Sequence, residues 1–301
     1  MILTRYPRAI ARRLRAGMRE MLAPSASTPA QSGNEVTKEL ARLRARTDQL
    51  THAMFADSLA AYRGIHQGQR CFVVGNGPSL NQIDMTLLRD EITMGSNRVF
   101  LGFERWGYDF KYWMTQDETN IKQIAEDYVE NVPDDVIKFV PIRFLENFDL
   151  TRFQNCCPVN LELDMENYPL FSDHPRAIFE GWTVTYSMLQ IAVIMGCNPI
   201  YLIGVDYNYQ INKDTLVNDT RWTDSESKSH FHPDYCKADA GVIWNIPRFD
   251  RTDKAYACAA DYAKANGVEI INATPGSKLT AFPTIDYEDL FPASGRETSA
   301  A

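Results

Sequence analysis

Cys71-Phe72-Val73-Val74-Gly75-Asn76-Gly77-Pro78-Ser79-Leu80 decides the fold. A short apolar run breaks into a Gly-Asn-Gly-Pro-Ser turn, as a buried strand does where it hands its chain to a loop. Gly75 and Gly77 admit positive φ and let a ligand approach the backbone closely, and Pro78 has the φ of a first helical position. Free backbone N–H groups at such a turn suit an anion, so Gly75, Asn76, Gly77, Pro78 and Ser79 are candidate nucleotide-binding residues. The same glycines would equally serve a turn that merely links strand to helix. A dinucleotide fingerprint needs a third glycine at position 80 and an acid about 20 residues further on. Leu80 and Asn97 stand there instead, and no Gly-Lys-Ser/Thr follows. NAD, FAD and the lysine-bearing phosphate loop are thereby disfavoured, and a nucleotide held in another way is expected.

Outward from this turn the pattern alternates. Strands are expected near 70–75, 92–96, 110–115, 136–141, 199–204 and 268–272, and helices near 80–89, 118–130, 182–196 and 251–266. The alternation predicts an α/β, Rossmann-like domain over 67–292, with a mostly parallel sheet covered by helices on both faces. Ligands bind such sheets at the carboxyl ends of the strands. That rule selects 75–79, Asn97, 116–118, 204–209 and 272–278 as one rim, Ser277 included. The stretches 143–180 and 207–250 are long, aromatic and weakly periodic, as lids or substrate walls are.

Composition bounds the rest. The 301 residues are 45% hydrophobic and 23% charged, enough for one large core or two small ones. No apolar run reaches the roughly 18 residues needed to span a bilayer. Six cysteines lack CxxC spacing; Cys71, Cys197 and Cys258 read as reduced core thiols of a cytoplasmic protein, and the pair Cys156-Cys157 has no zinc-ligand spacing around it. The net charge is −8, yet Arg5, Arg8, Arg12, Arg13, Arg15 and Arg19 face only Glu20 within the first 22 residues. The body is therefore more acidic than the whole, which argues against nucleic acid as a partner. Ile2, Leu3, Ile10, Leu14, Met18 and Leu22 interleave with those arginines at roughly helical spacing. Residues 1–22 thus suit either an amphipathic helix on the inner face of an anionic membrane or a frayed basic terminus. Residues 23–35 have linker composition. Val36, Leu40, Leu43, Leu50 and Met54 follow a 4-3 alternation with Thr47 in the seam, predicting a helix within 36–66 that forms a short coiled coil or an antiparallel helix pair and packs on its own domain or on a sister subunit rather than carrying chemistry. Residues 293–301 read as a disordered tail.

Two clusters could do chemistry. Asp206, Tyr207 and Tyr209 end the expected strand 199–204, and a phenol there can hold sugar hydroxyls or protonate a departing phosphate. His230 and His232 would share a face if their backbone is extended, and either could take a proton from an acceptor hydroxyl. Capping and core packing are the plainer roles for the same residues. The histidine pair could also bind a metal with Asp234 or Asp206 as a third ligand, a reading ranked below the base role; metal use has little other support, because Asp117 and Glu118, the nearest carboxylate pair, are adjacent rather than spaced. No G-x-S-x-G elbow is present.

The blocks 72–84 (Phe-Val-Val-Gly-Asn-Gly-Pro-Ser-Leu-Asn-Gln-Ile-Asp), Ser96-Asn97-Arg98, Ile200-Tyr-Leu-Ile-Gly-Val-Asp206, Ser229-His230-Phe231 and 275–282 resemble the bacterial sialyltransferases of glycosyltransferase family 42, which use CMP-sialic acid. With 180–186, 230–235 and 272–276, the chain also resembles the broad family named after archaeal 6-hydroxymethylpterin pyrophosphokinases, whose domain occurs in flagellin nonulosonate transferases. The resemblance implies a GT-A-variant, sialyltransferase-like fold and a metal-independent, inverting transfer of a nonulosonic acid from a CMP-sugar to a glycan or glycolipid, with no cofactor beyond the donor. It implies that Asn76 and Asn97 hold phosphate and ribose, that Tyr207 or Tyr209 assists departure, and that His230 or His232 is the base. Asp117, Thr183, Thr185 and Tyr186 would line the sugar. The sialyltransferases carry a Thr-Ser-Gly turn where this chain has Thr183-Val-Thr185, and their catalytic histidine aligns with Asp234. Diphosphate transfer from ATP to a hydroxymethylpterin, and a non-catalytic nucleotide-binding scaffold in polysaccharide assembly, are the alternatives.

Overall fold

A computed structural model describes residues 32–163, 169–209, 213–223, 228–237 and 242–291. The expected basic helix over 1–22, residues 23–31 of the expected linker and the tail at 293–301 lie outside the described residues, while the last four linker positions, 32–35, are helical and open α1. The chain opens with α1 (Ser32–Phe55) and a 3-10 turn at Ser58–Tyr62. There follow β1 (Cys71–Val74), β2 (Ile92–Ser96) and β3 (Tyr112–Met114), then α2 (Glu118–Asn131), β4 (Ile137–Pro141) and β5 (Cys156–Val159). The short strands β6 (Leu161–Glu162) and β7 (Ile178–Phe179) precede α3 (Val184–Ile194) and β8 (Ile200–Ile203). A small antiparallel flap of β9 (Leu216–Asn218), β10 (Arg221–Trp222) and β11 (Trp244–Asn245) leads to α4 (Phe249–Asn266) and β12 (Ile270–Asn272).

Seven strands form one sheet in the order β12-β8-β1-β2-β3-β4-β5, and every pairing in it is parallel. The chain starts in the middle, walks outward to β5, then crosses back to lay β8 and β12 on the other side of β1. The winding therefore reverses between β1 and β8, where loops leaving neighbouring strands diverge and open a crevice.

Strands buried on both faces read as continuous apolar runs, and Cys-Phe-Val-Val and Ile-Tyr-Leu-Ile are buried throughout. Side-chain alternation divides them between two cores. Phe72, Val74, Tyr201 and Ile203 pack with Ile121, Ile124 and Tyr128 of α2. Cys71, Val73, Ile200 and Leu202 pack with Met188 and Ile191 of α3 and Ala255 and Ala259 of α4. Each fully buried aliphatic side chain contributes roughly 1.5–3 kcal/mol. Helix ends follow local chemistry. The Asp117 carboxylate caps α2 by accepting the Asn120 N–H at 3.1 Å, and α4 stops at Gly267, whose φ is 68°.

Two expectations are corrected. The region 80–89 is not one helix but two 3-10 turns, Pro78–Asn81 and Met85–Leu88. Gln82 ends the first, and Asp84 starts the second, its side chain accepting the Thr86 N–H at 3.0 Å. The edge strand β5, absent from the expected set, pairs with β4 through residues that include Cys156 and Cys157. All six cysteines are free; Cys71 and Cys197 are buried and Cys258 is half-buried. Among the described residues no helix is long and apolar enough to cross a membrane.

Candidate functional site

A cavity of about 830 Å³ lies over the carboxyl ends of the central strands, at the reversal between β1 and β8. That volume is within the range of small-molecule sites. Its lining includes 75–77 after β1, Ser96 at the end of β2 and Asn97 after it, 116–120 after β3, 204–209 after β8, the start of α3, and the flap.

The β1 turn is closed on itself. The Gly75 N–H donates to the Ile203 carbonyl and the Gly77 N–H to the Gly204 carbonyl, each at 2.8 Å. The Ser79 N–H donates to Asp206 Oδ1 at 3.0 Å, and the Ser79 hydroxyl donates to Oδ2 at 2.6 Å. These N–H groups are therefore not free for an anion, which corrects the first expectation for the turn. Positive φ is not the reason for the glycines either, since Gly77 has φ −71°. A Cβ on Gly75 would stand 2.4 Å from the Gly204 carbonyl oxygen, and one on Gly77 would stand 1.7 Å from Asp206 Oδ2. Both glycines exist so that the β8 loop can press against the β1 loop. Burial raises the pKa of Asp206 against the opposing pull of its Ser79 hydrogen bonds. Asp206 thus braces the turn, and Ser277 braces Asp206's loop by donating to the Val205 carbonyl at 2.6 Å. Pro78, Ser79 and Ser277 do not reach the cavity lining.

Asn76 and Asn97 do reach it. The Asn76 amide donates to the Ser96 carbonyl and hydroxyl, both at 3.2 Å, while its Oδ1 is buried without a partner among the described residues. Asn97 has φ 50°, and its Oδ1 accepts the Thr115 hydroxyl at 3.0 Å. Trp182 and Tyr207 also hold positive φ, at 60° and 55°. Of the four described non-glycine residues with that conformation, only Asn155 lies away from the cavity. Strained backbone of this kind concentrates where function over-determines it.

The paired candidates separate. Tyr207 packs on Phe249 and Tyr256, donates its hydroxyl to Asp253 Oδ1 at 2.7 Å and shares a 2.5 Å hydrogen bond with Thr252. Tyr209 is 41% exposed, and its hydroxyl makes no hydrogen bond to the described residues. His230 stacks flat on Tyr235 with ring centres 3.9 Å apart, and its Nδ1 meets Cys236 Sγ at 3.6 Å. Its ring stands edge-on to Tyr209 at 6.0 Å. Burial pushes the His230 pKa down to about 3, so the ring is neutral. If Nδ1 carries the proton, Nε2 is an acceptor for a hydroxyl proton; the other tautomer makes Nε2 a donor to an anionic oxygen.

His232 does not join it. The chain bends through 229–232 and turns through 233–236, so the same-face rule for extended backbone does not apply. His232 Nδ1 instead accepts the Asp234 N–H at 3.1 Å, outside the cavity lining. Arg98 fixes this loop: its guanidinium pairs with Asp127 at 2.9 Å and donates to the carbonyls of Asp234 and Tyr235, each at 2.6 Å.

On the facing side Thr183 and Thr185 line the cavity at the start of α3. Tyr186 is fully buried and donates to the Leu170 carbonyl at 2.9 Å. Asp117 lines the cavity while holding the Asn245 amide at 3.1 and 2.9 Å in addition to its cap. Glu118 pairs with Lys122 at 2.5 Å. Among the described residues no three His, Cys, Asp or Glu side chains converge as a metal site would require.

Among the cavity residues that sequence reasoning missed are Trp182, Arg248 and Arg221. Trp182, 41% exposed, lies 5.7 Å from the Arg248 guanidinium and 5.5 Å from that of Arg251. Arg221 lines the cavity with no ion pair among the described residues. A tryptophan following Gly181 just ahead of a rim helix was the available signal for the first. Nothing in the sequence distinguishes Arg221.

No protein-family model and no curated protein matches the chain. Among solved structures it is similar to the MAf glycosyltransferase from Magnetospirillum magneticum AMB-1, with a TM-score of 0.46 and 15% sequence identity. The match covers 78% of this chain and 38% of that one, so this chain spans well under half of that protein's length.

Proposed function

We propose that the chain is an inverting glycosyltransferase that moves a nonulosonic acid, sialic-acid-like or Kdo-like, from a CMP-linked donor to a surface glycan. The observation that carries this reading is the convergence, on one switch-point cavity, of residues from separate blocks of the sequence resemblance: Asn76, Asn97, Asp206 and His230. Asn76 and Asn97 would face the nucleotide phosphate and ribose, and Thr183, Thr185 and Trp182 the sugar. The acceptor oxygen attacks the anomeric carbon while its proton passes to His230 Nε2. The bond from that carbon to the phosphate oxygen breaks, and CMP leaves with the electron pair. Tyr209, whose hydroxyl is not engaged by the described residues, donates a hydrogen bond to the leaving oxygen; Tyr207, already bound to Thr252 and Asp253, holds the wall behind it. A bound phosphate would raise the His230 pKa from its low value, because a nearby negative charge favours the protonated ring. Asp117 and Asp206 are both committed to internal hydrogen bonds, and the reading needs no metal or other cofactor. Residues 1–22 would hold the enzyme peripherally at the inner face of the cytoplasmic membrane, beside a glycolipid acceptor.

A thermal-shift panel of CMP, CMP-sialic acid, CMP-Kdo, UDP-sugars, and ATP with and without Mg²⁺ tests it, since a ligand of the native state raises the melting temperature by mass action. CMP-sugars should stabilise the protein most. Silence toward every CMP compound, with stabilisation by ATP and Mg²⁺, would overturn the reading in favour of diphosphate transfer. Tyr209→Phe should keep CMP-sugar binding and lower turnover about 100-fold.

A further inference from the structure

The helix α1 spans 24 residues, about 36 Å of chain at 1.5 Å per residue. Side chains from 36 to 50 are exposed, except Leu43, which is half-buried. Only at its end does Phe55 pack against the main core. Val36, Leu40, Leu50 and Met54 are between 45% and 55% exposed, yet with Leu43 and Thr47 they form a single 4-3 seam. Helices in proteins owe most of their stability to the burial of such a face rather than to propensity. Thr47 does not spoil the seam: its hydroxyl donates to the Leu43 carbonyl at 2.9 Å, which leaves its methyl group for packing.

Charge identifies the occupant. With Leu40, Thr47 and Met54 at a positions and Val36, Leu43 and Leu50 at d, Glu39 takes a g position and Arg44 the following e position. Two copies placed parallel and in register would set each Glu39 against Arg44 of the partner subunit, twice over. The next g position, Arg46, would face Thr51, without repulsion. The antiparallel alignment that matches Leu40 with Leu50 would oppose Arg44 to Arg44 and Arg46 to Arg46. We propose that α1 pairs with α1 of a second copy of this chain in a parallel, in-register, two-stranded coiled coil. The two N-terminal segments 1–31 then leave the assembly at the same end.

The full chain should sediment as a concentration-dependent dimer, and Leu40→Asp with Leu50→Asp should leave monomers with an unchanged melting temperature of the body. Glu39→Arg alone and Arg44→Glu alone should each weaken the dimer about tenfold, and the two together should restore it. Thr47→Cys should give an oxidised covalent dimer beyond any formed by the native chain, because a positions meet their own counterparts only in the parallel register. A chain that stays monomeric at every concentration overturns the proposal. So does a dimer indifferent to the aspartates, or a dimer lacking both the Thr47→Cys cross-link and the charge-swap rescue. Seam-dependent binding of the monomer to anionic phospholipid vesicles, without dimerisation, would assign the face to a membrane and likewise overturn it.

Discussion

Between the cavity wall built from 75–79 and 203–206 and the wall that carries Trp182, Tyr209 and His230, the difference lies in what the polar groups are bound to. On the first, the N–H groups of Gly75, Gly77 and Ser79 are taken by Ile203, Gly204 and Asp206. On the second, the Tyr209 hydroxyl and His230 Nε2 have no partner among the described residues, and the Trp182 ring is 41% exposed. The glycine turn that announces the fold is a frame, and the groups left over for a ligand stand mostly on the long segments around it.

The largest expected effect breaks the frame. Gly77→Ala forces a Cβ onto the Asp206 carboxylate and should cost about 3 kcal/mol or more of stability, read as a fall in melting temperature by calorimetry. Adding Asp206→Ala to it should recover part of the loss, since the colliding group is then gone; a double variant no more stable than the single would mean that another contact sets the approach of the two loops.

A smaller effect separates the walls by pH. Burial holds His230 near 3 in the folded protein, below the ordinary histidine value of about 6.5, so the unfolded chain takes up the proton first as pH falls. The stability contributed by the neutral ring is complete above about pH 6.5 and is lost toward pH 3, at up to about 1.4 kcal/mol per pH unit. Urea unfolding at pH 7 and pH 5 should show that slope reduced in His230→Gln; an unchanged slope would place the proton uptake elsewhere. The smallest effect belongs to the open wall alone. Trp182→Ala should leave stability within about 0.5 kcal/mol and weaken binding of the sugar nucleotide by about 1 kcal/mol, roughly fivefold, in calorimetric titration. A comparable fall in melting temperature would make Trp182 part of the frame instead.

The sheet was legible because strands buried on both faces spell themselves as apolar runs, and six of its seven strands stand where those runs fall. The exception, β5, reads Cys-Cys-Pro-Val, and a proline inside the run removes a ladder donor and argues against a strand. The site was legible as a rim but not as chemistry. Which N–H groups remain free depends on pairing between residues more than a hundred positions apart, as Ser79 with Asp206 illustrates. The alternation that joined His230 to His232 presupposed an extended backbone, and the Arg98 contacts that hold the bend cross from 98 to 234 and 235. The two tyrosines could be told apart only once Thr252 and Asp253 had been brought to one of them.

The position of β1 in the middle of the sheet also bears on how the chain is made. β2 can cover one edge of β1 soon after it emerges from the ribosome, but the other edge must wait for β8, whose Ile200 pairs with Cys71. At ordinary rates of synthesis that interval is on the order of ten seconds. Throughout it, an apolar Cys-Phe-Val-Val strand offers unpaired backbone groups to any other nascent chain, which is the geometry that seeds edge-to-edge aggregation. Chains truncated before Ile203 should therefore be more hazardous to the cell than chains truncated after it.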